Sequence, residues 1–334
     1  MIKLLVDGSI PSVADFFGSA FQISIFNNET ECQQQIRHQE VLLCRSTLKL
    51  DSVSLAQTSL KCIATLSSGI DHITQHPSHV LPILDAKGAN ARAVADYVIA
   101  CLAVGTENRL IQGRQAGIIG MGAVGSLVAS RLKQLGFMVM TYDPLRALRD
   151  PTFLSDPWSA LLDCDVICVH PNLHNGVPYP SRHLLGETFF SQIKKMAFLI
   201  NAARGDIVDE SALLKYQSVY YCADVFSDEP QVNKKIIDFA TLCTPHIAGH
   251  SIEARIRALA VVSQKIHAFF GLSPTHLQHE EMADLILDPL TWVDTTLSFY
   301  DPREETQTLK LSQDVKNTFL ALRKAHTYRH ERQS

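Results

Sequence analysis

The sequence predicts an α/β protein with two doubly wound parallel sheets and a short C-terminal extension. Short apolar stretches alternate with stretches of helical spacing along most of the chain, which is typical of parallel βαβ units. A glycine-rich turn at residues 120–125 marks the start of the second sheet. The length of 334 residues allows two domains of ordinary size, each with its own core.

The first sheet is predicted from a series of apolar strands. They are expected at residues 2–6, 21–26, 39–44 and 60–65, with a short helix from about Ser12. Polar turns follow the last two strands, at residues 45–49 and 66–72. Ligands of parallel sheets bind at the carboxyl ends of the strands, so both turns are candidate binding segments.

The second sheet follows a long helix expected at residues 90–110, and it begins with a glycine turn in a complete βαβ setting. A strand precedes the turn, a helix follows it, and a second strand ends at Asp143. Gly120 permits the tight turn, Gly122 permits close approach of a pyrophosphate, and Gly125 permits close packing of the helix on the strand. The diphosphate would lie at the partly positive helix N-terminus. The alternative is a coincidental glycine turn, but this setting favours a Rossmann-like dinucleotide-binding domain.

A carboxylate at the end of the second strand favours NAD over NADP. Asp143 can accept hydrogen bonds from both ribose hydroxyls, and it would repel a 2′-phosphate. Arg146 weakens this preference, because an arginine there could stack on adenine or pair with a phosphate.

Polar residues also follow the later strands of this sheet, which are expected at residues 165–169, 197–202, 219–225 and 242–244. In chain order they are His170, Arg204, Asp228 with Glu229, and His246. Because the carboxyl ends of parallel strands meet at one edge of a sheet, we expect these side chains to face the same crevice.

Three of these residues have the chemistry for hydride transfer between a 2-hydroxy acid and nicotinamide. That reaction needs a base for the hydroxyl proton, a cation for the carboxylate and a group that tunes the base. His246 suits the base because its reference pKa is about 6.5, Glu229 would orient the imidazole, and Arg204 offers a bidentate fork. The alternatives are a turn histidine, an exposed glutamate and an arginine paired with Asp206 or Asp209. For all three alternatives to hold, three unrelated residues would have to occur by chance at adjacent strand ends.

Composition argues against several function classes. The chain has 30 basic and 34 acidic residues, a net charge of −4 and no dense basic block, so neither nucleic acid nor a membrane is the expected partner. Its apolar stretches are too short to span a bilayer, and residues 1–7 are expected to form a strand, not a signal peptide. Eight cysteines are scattered without a C-x-x-C pair, and Cys164 and Cys168 lie before and on an apolar strand, where burial is expected. They indicate a reduced, cytoplasmic protein without a metal site.

Three motifs, at residues 199–209, 223–230 and 244–249, resemble the D-isomer-specific 2-hydroxyacid dehydrogenase family, and the resemblance extends over about residues 1–272. It implies NAD as the cofactor and a catalytic trio of Arg204, Glu229 and His246. The implied cofactor contacts are Gly120, Gly122, Ala123, Val124, Gly125, Asp143, Ala203, Asp224 and Gly249. Ser46 and Ser67 would touch the substrate, and the candidate phosphate pocket consists of Arg45, Ser46, Lys49 and His250.

Further stretches resemble family members that act on a small phosphorylated 2-hydroxy acid; they lie at residues 4–7, 44–46, 64–72, 88–97 and 177–184. The resemblance implies a homodimer with three regions. These are a substrate domain at 1–92 and 252–272, an NAD-binding domain at 93–251, and a shortened dimerisation region at 273–334. Two residues depart from the pattern, because His250 stands in place of a tyrosine and Pro171 in place of a side chain that meets the cofactor.

The C-terminal region keeps a helical pattern with an apolar face, which predicts one helix at residues 306–329. Arg323, Lys324 and Arg329 would either hold a substrate phosphate across a dimer interface or form a solvated basic end. Two alternatives to the expected activity remain. The first is a dehydrogenase of another 2-hydroxy acid, such as 3-phosphoglycerate or glycerate, because the trio does not define the rest of the substrate. A non-catalytic protein that binds NAD as a conformational ligand is the other.

Overall fold

The computed structural model describes residues 1–273 and 285–332, and the chain divides into two compact units. The first unit comprises residues 1–90 and the described residues 252–273. The second unit comprises residues 91–251 and 285–332. The chain therefore enters the second unit at Ala91, returns to the first at Ile252 and ends in the second.

The first unit is built on a parallel sheet. Its strands are β1 Ile2–Asp7, β2 Phe21–Phe26, β3 Val41–Cys44, β4 Leu50–Asp51, β5 Cys62–Thr65, β6 Ile73–Thr74 and β7 Ile83–Leu84. Five of them form a sheet in the order β2-β1-β3-β5-β7 within the described residues, with parallel neighbours throughout, while β4 pairs with β6. This is a doubly wound order. The helices are Val13–Phe16, Glu29–Gln35 and Ile252–Phe269, with 3-10 turns at Ile36–His38 and Ser52–Leu55.

The second unit carries the larger sheet. Its strands are β8 Gln115–Ile119, β9 Met138–Tyr142, β10 Val166–Val169, β11 Ala197–Asn201, β12 Val219–Ala223 and β13 Leu242–Cys243. In the described part of the chain they run parallel in the order β13-β12-β11-β10-β8-β9. The chain reverses direction across the sheet between β8 and β10, and ligands of such sheets bind at that switch point.

Helices cover both faces of the second sheet, and β10 and β11 are accordingly buried along their whole length. The helices are Ala91–Glu107, Ala123–Gln134, Pro144–Ala147, Trp158–Leu162, Glu187–Gln192, Glu210–Tyr216, Lys234–Phe239, Trp292–Phe299, Arg303–Leu311 and Val315–Ala325, with a 3-10 turn at Gly205–Ile207. The predicted α/β class with parallel sheets is confirmed, and so is the long helix expected at residues 90–110.

The prediction of one helix at residues 306–329 is wrong. The chain forms Arg303–Leu311, breaks, and forms Val315–Ala325. Asp314 explains the break, because its carboxylate accepts the Asn317 amide at 3.1 Å and so begins a new helix. Its own amide donates to the Ser312 hydroxyl at 3.1 Å, a local bond that competes with helix continuation.

The C-terminal residues belong to the core of the second unit. Phe319 is fully buried, and its ring lies 6.3 Å from that of Phe226. The Thr306 hydroxyl accepts the Cys243 amide of β13 at 2.9 Å. Leu285 and Leu287 pack in the cluster that contains the helix Ala91–Glu107. These residues stabilise the unit; whether they also pair two copies stays a prediction.

No helix in the described ranges is both long and apolar enough to cross a membrane. The eight cysteines are buried and unpaired. Cys164 and Cys168 are fully buried, so their predicted burial is confirmed. Burial raises the pKa of the Cys164 thiol to about 11.

Candidate active site

The glycine turn of the second unit fits a dinucleotide. Gly120 has a φ of +87°, and a Cβ there would lie 2.6 Å from the backbone nitrogen of Pro171 at the end of β10. A Cβ on Gly125 would lie 2.0 Å from the Gly120 carbonyl, so the helix packs directly on the turn. A Cβ on Gly122, by contrast, would meet no other part of the described chain within 4 Å, and no side chain caps the helix that begins at Ala123. Open space over uncapped helix amides, at positions 122–124, suits a pyrophosphate.

Asp143 lies beside this turn. Its carboxylate accepts the Met121 amide at 2.8 Å and the Arg146 amide at 2.9 Å. Each carboxylate oxygen keeps a further lone pair, so Asp143 can still accept from a ribose. The Arg146 guanidinium donates to the Met121 carbonyl at 2.9 Å and lies over the Phe153 ring at 4.6 Å. The carboxylate therefore keeps capacity to accept from a ribose, and its charge would repel a 2′-phosphate; its direct contact with NAD stays a prediction.

His246 and Glu229 form the central pair of the site. Nδ1 of His246 lies 2.7 Å from Oε2 of Glu229, and Oε1 of Glu229 accepts the Phe226 amide at 2.8 Å. Burial raises the pKa of Glu229, but the charge and hydrogen bond of His246 and the Phe226 amide outweigh it, so the pKa is lowered from 4.5. Glu229 is thus a carboxylate at neutral pH. It holds a proton on Nδ1 and leaves the Nε2 lone pair of His246 to act as a base.

Arg204 lies on the neighbouring turn, which packs closely on the Glu229 turn. A Cβ on Gly205 would lie 1.9 Å from the backbone carbon of Phe226, so no side chain fits between the two turns. Arg204 donates from Nη1 to the Ala203 carbonyl at 2.7 Å. Of the two acids that could pair with Arg204, Asp206 binds Arg182 and Asp209 caps the helix Glu210–Tyr216. The structure therefore brings His246 and Glu229 into contact and packs the Arg204 turn against the Glu229 turn, and the catalytic roles of the three residues stay predictions.

The backbone of His246 is strained, and Asp224 supports it. His246 has a φ of +57°, a left-handed conformation that costs a non-glycine residue about 1–3 kcal/mol. Its amide donates to the Asp224 carbonyl at 2.8 Å. The Asp224 carboxylate accepts the Ile247 and Ala248 amides, each at 2.8 Å, and the Thr244 hydroxyl at 2.7 Å. Asp224 is 1% exposed, so it anchors the loop from beneath; a direct contact with NAD stays a prediction, as it does for Ala203 and Gly249.

Arg329 holds the same loop from the other side, which sequence reasoning missed. Its guanidinium donates to the carbonyls of Ala248 at 2.6 Å, Ile247 at 3.4 Å and Ala93 at 3.0 Å. The N–H groups of residues 247 and 248 therefore bind a carboxylate, and their C=O groups bind a guanidinium. Its two Nη groups are bound to the backbone, so Arg329 does not form a solvated basic end, whereas a contact with a substrate phosphate stays a prediction. No local pattern could have revealed a contact across 81 residues.

His250 does not supply a positive charge. Its ring stacks on Tyr328 at 5.2 Å. Burial lowers the pKa of His250 well below 6.5, and the nearby positive charges, Arg323 first among them, lower it further. At neutral pH the ring is therefore uncharged, and its expected contact with a phosphate can only be a hydrogen bond.

The other predicted substrate residues belong to the first unit. The Arg45 guanidinium donates to the Ser9 hydroxyl at 2.9 Å, and the Ser67 carbonyl accepts the Ala86 amide at 3.1 Å. Ser46 and Lys49 are exposed. All four follow β3 or β5, as predicted, and their roles stay predictions.

Glu210 is a titratable neighbour that sequence reasoning missed. Its carboxylate accepts the Ser227 amide at 3.0 Å, two residues before Glu229. Burial raises the pKa of Glu210 to about 6, and the charges of Asp206, Asp228 and Glu229 act in the same direction. Acids are common at the start of a helix, so the sequence did not indicate that the pKa of Glu210 would be raised or that Glu210 would lie beside the Glu229 turn.

Replacing Glu210 with glutamine is expected to stabilise the fold at neutral pH. The folded pKa, about 6, lies above the ordinary 4.5, so the folded state binds more protons between these values and stability falls as the pH rises through them. Glutamine does not titrate, so the variant should gain about 2 kcal/mol over the wild type above pH 6. Urea unfolding at about pH 5 and pH 8 measures the difference. The control is Glu187→Gln, an exposed glutamate that also begins a helix; an equal gain there would contradict the explanation.

Comparisons with known proteins identify relatives of the chain. The NAD-binding domain of the D-isomer-specific 2-hydroxyacid dehydrogenases matches residues 103–248. The chain is 42% identical to erythronate-4-phosphate dehydrogenase of Legionella pneumophila (strain Lens), over 99% of this chain and 95% of that protein. It is 34% identical to the protein of the same name from Coxiella burnetii (strain RSA 331 / Henzerling II), over 93% and 87%.

A solved structure shares the fold. The NAD-dependent formate dehydrogenase of Staphylococcus aureus, in complex with NAD, matches with a TM-score of 0.63 at 19% identity, over 80% of this chain and 96% of that one. The match supports the fold alone, whereas the two relatives align along almost the whole chain. The chain therefore belongs to the D-isomer-specific 2-hydroxyacid dehydrogenase family and is an NAD-binding oxidoreductase that acts on CH–OH groups.

Proposed function

We propose that the chain oxidises 4-phospho-D-erythronate to 2-oxo-3-hydroxy-4-phosphobutanoate with NAD, as a step of pyridoxal 5′-phosphate (vitamin B6) biosynthesis. The observation that carries the proposal is the His246–Glu229 pair beside the Arg204 turn, in the unit that contains the NAD-binding domain. The name of the two relatives supports this substrate. A homodimer in the cytoplasm is part of the proposal.

His246 acts as the base. Its Nε2 takes the proton of the C2 hydroxyl, and the Glu229 carboxylate stabilises the imidazolium that forms. As the O–H bond breaks, the C2–O bond becomes a carbonyl and the hydrogen on C2 leaves with its electron pair. NAD, when bound, supplies the nicotinamide that accepts this hydride. The 2-oxo acid leaves, and His246 returns its proton to solvent.

Arg204 binds the substrate carboxylate. A guanidinium presents donors in a planar fork that matches both carboxylate oxygens. Because its turn packs against the Glu229 turn, a carboxylate bound to Arg204 would lie close to the base, and the hydroxyl of the adjacent C2 would be within reach of His246. Gly122, Ala123, Val124 and Asp143 would hold the cofactor through the diphosphate and ribose.

A substrate panel tests the proposal. Purified protein with NAD should turn over 4-phospho-D-erythronate with a kcat/KM at least about tenfold above those of 3-phospho-D-glycerate and D-glycerate, because each charge-assisted hydrogen bond to a well-placed phosphate contributes about 1.5–3 kcal/mol. NADH absorbance follows the forward reaction, and consumption of the 2-oxo acid follows the reverse. His246→Ala supplies the background rate. A folded, NAD-binding protein that prefers another 2-hydroxy acid would refute this substrate.

A further inference from the structure

Arg323 lies on the last helix, on the face that packs against the catalytic turn. Phe319, one helical turn earlier, is fully buried and its ring contacts that of Phe226. Residues four apart share one face of a helix, so Arg323 extends from that face. The Phe226 amide in turn holds Glu229 at 2.8 Å. The face that carries Arg323 therefore borders the turn that supports the catalytic base.

The segment after this helix covers His250. The His326 ring lies 5.9 Å from that of His250, and the Tyr328 ring stacks on it at 5.2 Å. Arg323 thus lies between two contacts with the catalytic loops, one made by Phe319 and the other by His326. Its charge acts on both sides, because it helps to lower the pKa of His250, after burial, and that of Glu229, where it adds to the effect of His246.

The Arg323 guanidinium is partly buried and has no hydrogen bond or ion pair with any residue that the structure describes. The carboxylate on which it acts, Glu229, already binds His246 and the Phe226 amide. A partly buried cation without a carboxylate partner is unfavourable in an isolated protein. Its position therefore suits an anionic ligand.

Two buried imidazole nitrogens beside Arg323 also have no partner within residues 1–273 and 285–332. They are Nδ1 of His250 and Nε2 of His326. Nδ1 of His326 lies 3.5 Å from Oε1 of Glu305, so Nε2 of His326 donates only from the protonated ring. Buried polar atoms are normally hydrogen-bonded, so the two nitrogens indicate a polar ligand, and a negatively charged one would favour the protonated His326 ring. A phosphate monoester supplies three acceptor oxygens and a charge of about −1.5 to −2.

We propose that Arg323, with His250 and His326, binds the distal phosphate of the substrate, within the same chain that carries His246. The assignment rests on the proposed function, because the phosphate is that of the proposed substrate. Arg204 then binds the carboxylate end of the substrate, and Arg323 binds its phosphate end. The C-terminal region then contributes a specificity residue to the active site of its own chain.

The test compares Arg323→Met and Arg323→Lys with Lys324→Met, which removes a charge from the exposed neighbouring position. The measured quantity is the ratio of kcat/KM for 4-phospho-D-erythronate to that for D-erythronate. Arg323→Met should reduce this ratio about 10- to 100-fold, through KM, because a charge-assisted hydrogen bond is lost. Arg323→Lys should recover part of it, and Lys324→Met should match the wild type. Circular dichroism confirms that each variant is folded.

A ratio that Arg323→Met leaves unchanged would overturn the assignment while the proposed function stands. If the wild type does not oxidise 4-phospho-D-erythronate, the proposed function fails, and a calorimetric titration with inorganic phosphate then decides the anion site separately. Phosphate binding that Arg323→Met weakens at least about tenfold and Lys324→Met does not would support the site. Equal binding by all three proteins, or none, would refute it.

Discussion

Glu229→Gln is expected to lower kcat by a factor of about 10² to 10⁴, the range for loss of general-base catalysis. Glutamine can present an N–H where the Nδ1–H of His246 needs an acceptor, so it favours the tautomer with the proton on Nε2. His246→Gln removes the base itself and should reach the same rate. Because the two residues act as a unit, the double variant should lose little more than either single one. Steady-state turnover at saturating substrate gives these values.

Asp228→Asn is the matched control, since it makes the same chemical change at an exposed position one residue away. Asp228 has a φ of +60°, which asparagine also tolerates, so this variant should keep wild-type kcat. The lowered pKa of Glu229 means that its contribution to folding stability is present above pH 4.5 and is lost as the pH falls through the folded pKa. Additive losses in the double variant, or a weak effect of Glu229→Gln, would show that the pair does not act as one base.

The parts of the site that the sequence could predict are those that local patterns encode. The glycine turn, the acid that ends β9 and the polar residues after β11, β12 and β13 all depend on short spacing and on the rule that ligands bind at strand ends. The predicted trio therefore lies together in one unit, with His246 bonded to Glu229.

The parts that could not be predicted depend on contacts between distant segments. Periodicity gave the apolar face of the C-terminal helix, but not its partner, Phe226. It also missed the break at Asp314, because one capping side chain outweighs a continuous apolar pattern. Arg329 is bound and not solvated because its guanidinium meets three backbone carbonyls, all of them remote in sequence.

Asp224→Asn should lower the free energy of unfolding by about 3 kcal/mol and reduce kcat at least about tenfold. An amide can accept from two of the three donors that the Asp224 carboxylate binds, and its NH₂ group then opposes the third, leaving buried groups unsatisfied at about 1–3 kcal/mol each. The strained φ of His246 persists only while its surroundings enforce it. Loosening the loop should therefore move the base away from the substrate hydroxyl. Urea unfolding and steady-state kinetics measure the two effects.

Arg329→Met releases the same peptide groups from the opposite side. Comparing the two variants therefore separates an effect on the loop from an effect on NAD binding. If Asp224 acts through the loop, both variants should lower kcat to a similar degree and leave the Kd for NAD within about threefold of the wild type, since neither change would touch the cofactor. If Asp224 contacts NAD, its variant alone should weaken NAD binding. Asp163→Asn, an exposed aspartate of the same unit, controls for the general effect of losing a negative charge. A stable, fully active Asp224→Asn protein would show that the loop keeps its conformation without the carboxylate, and that the strain at His246 is supported by another part of the chain.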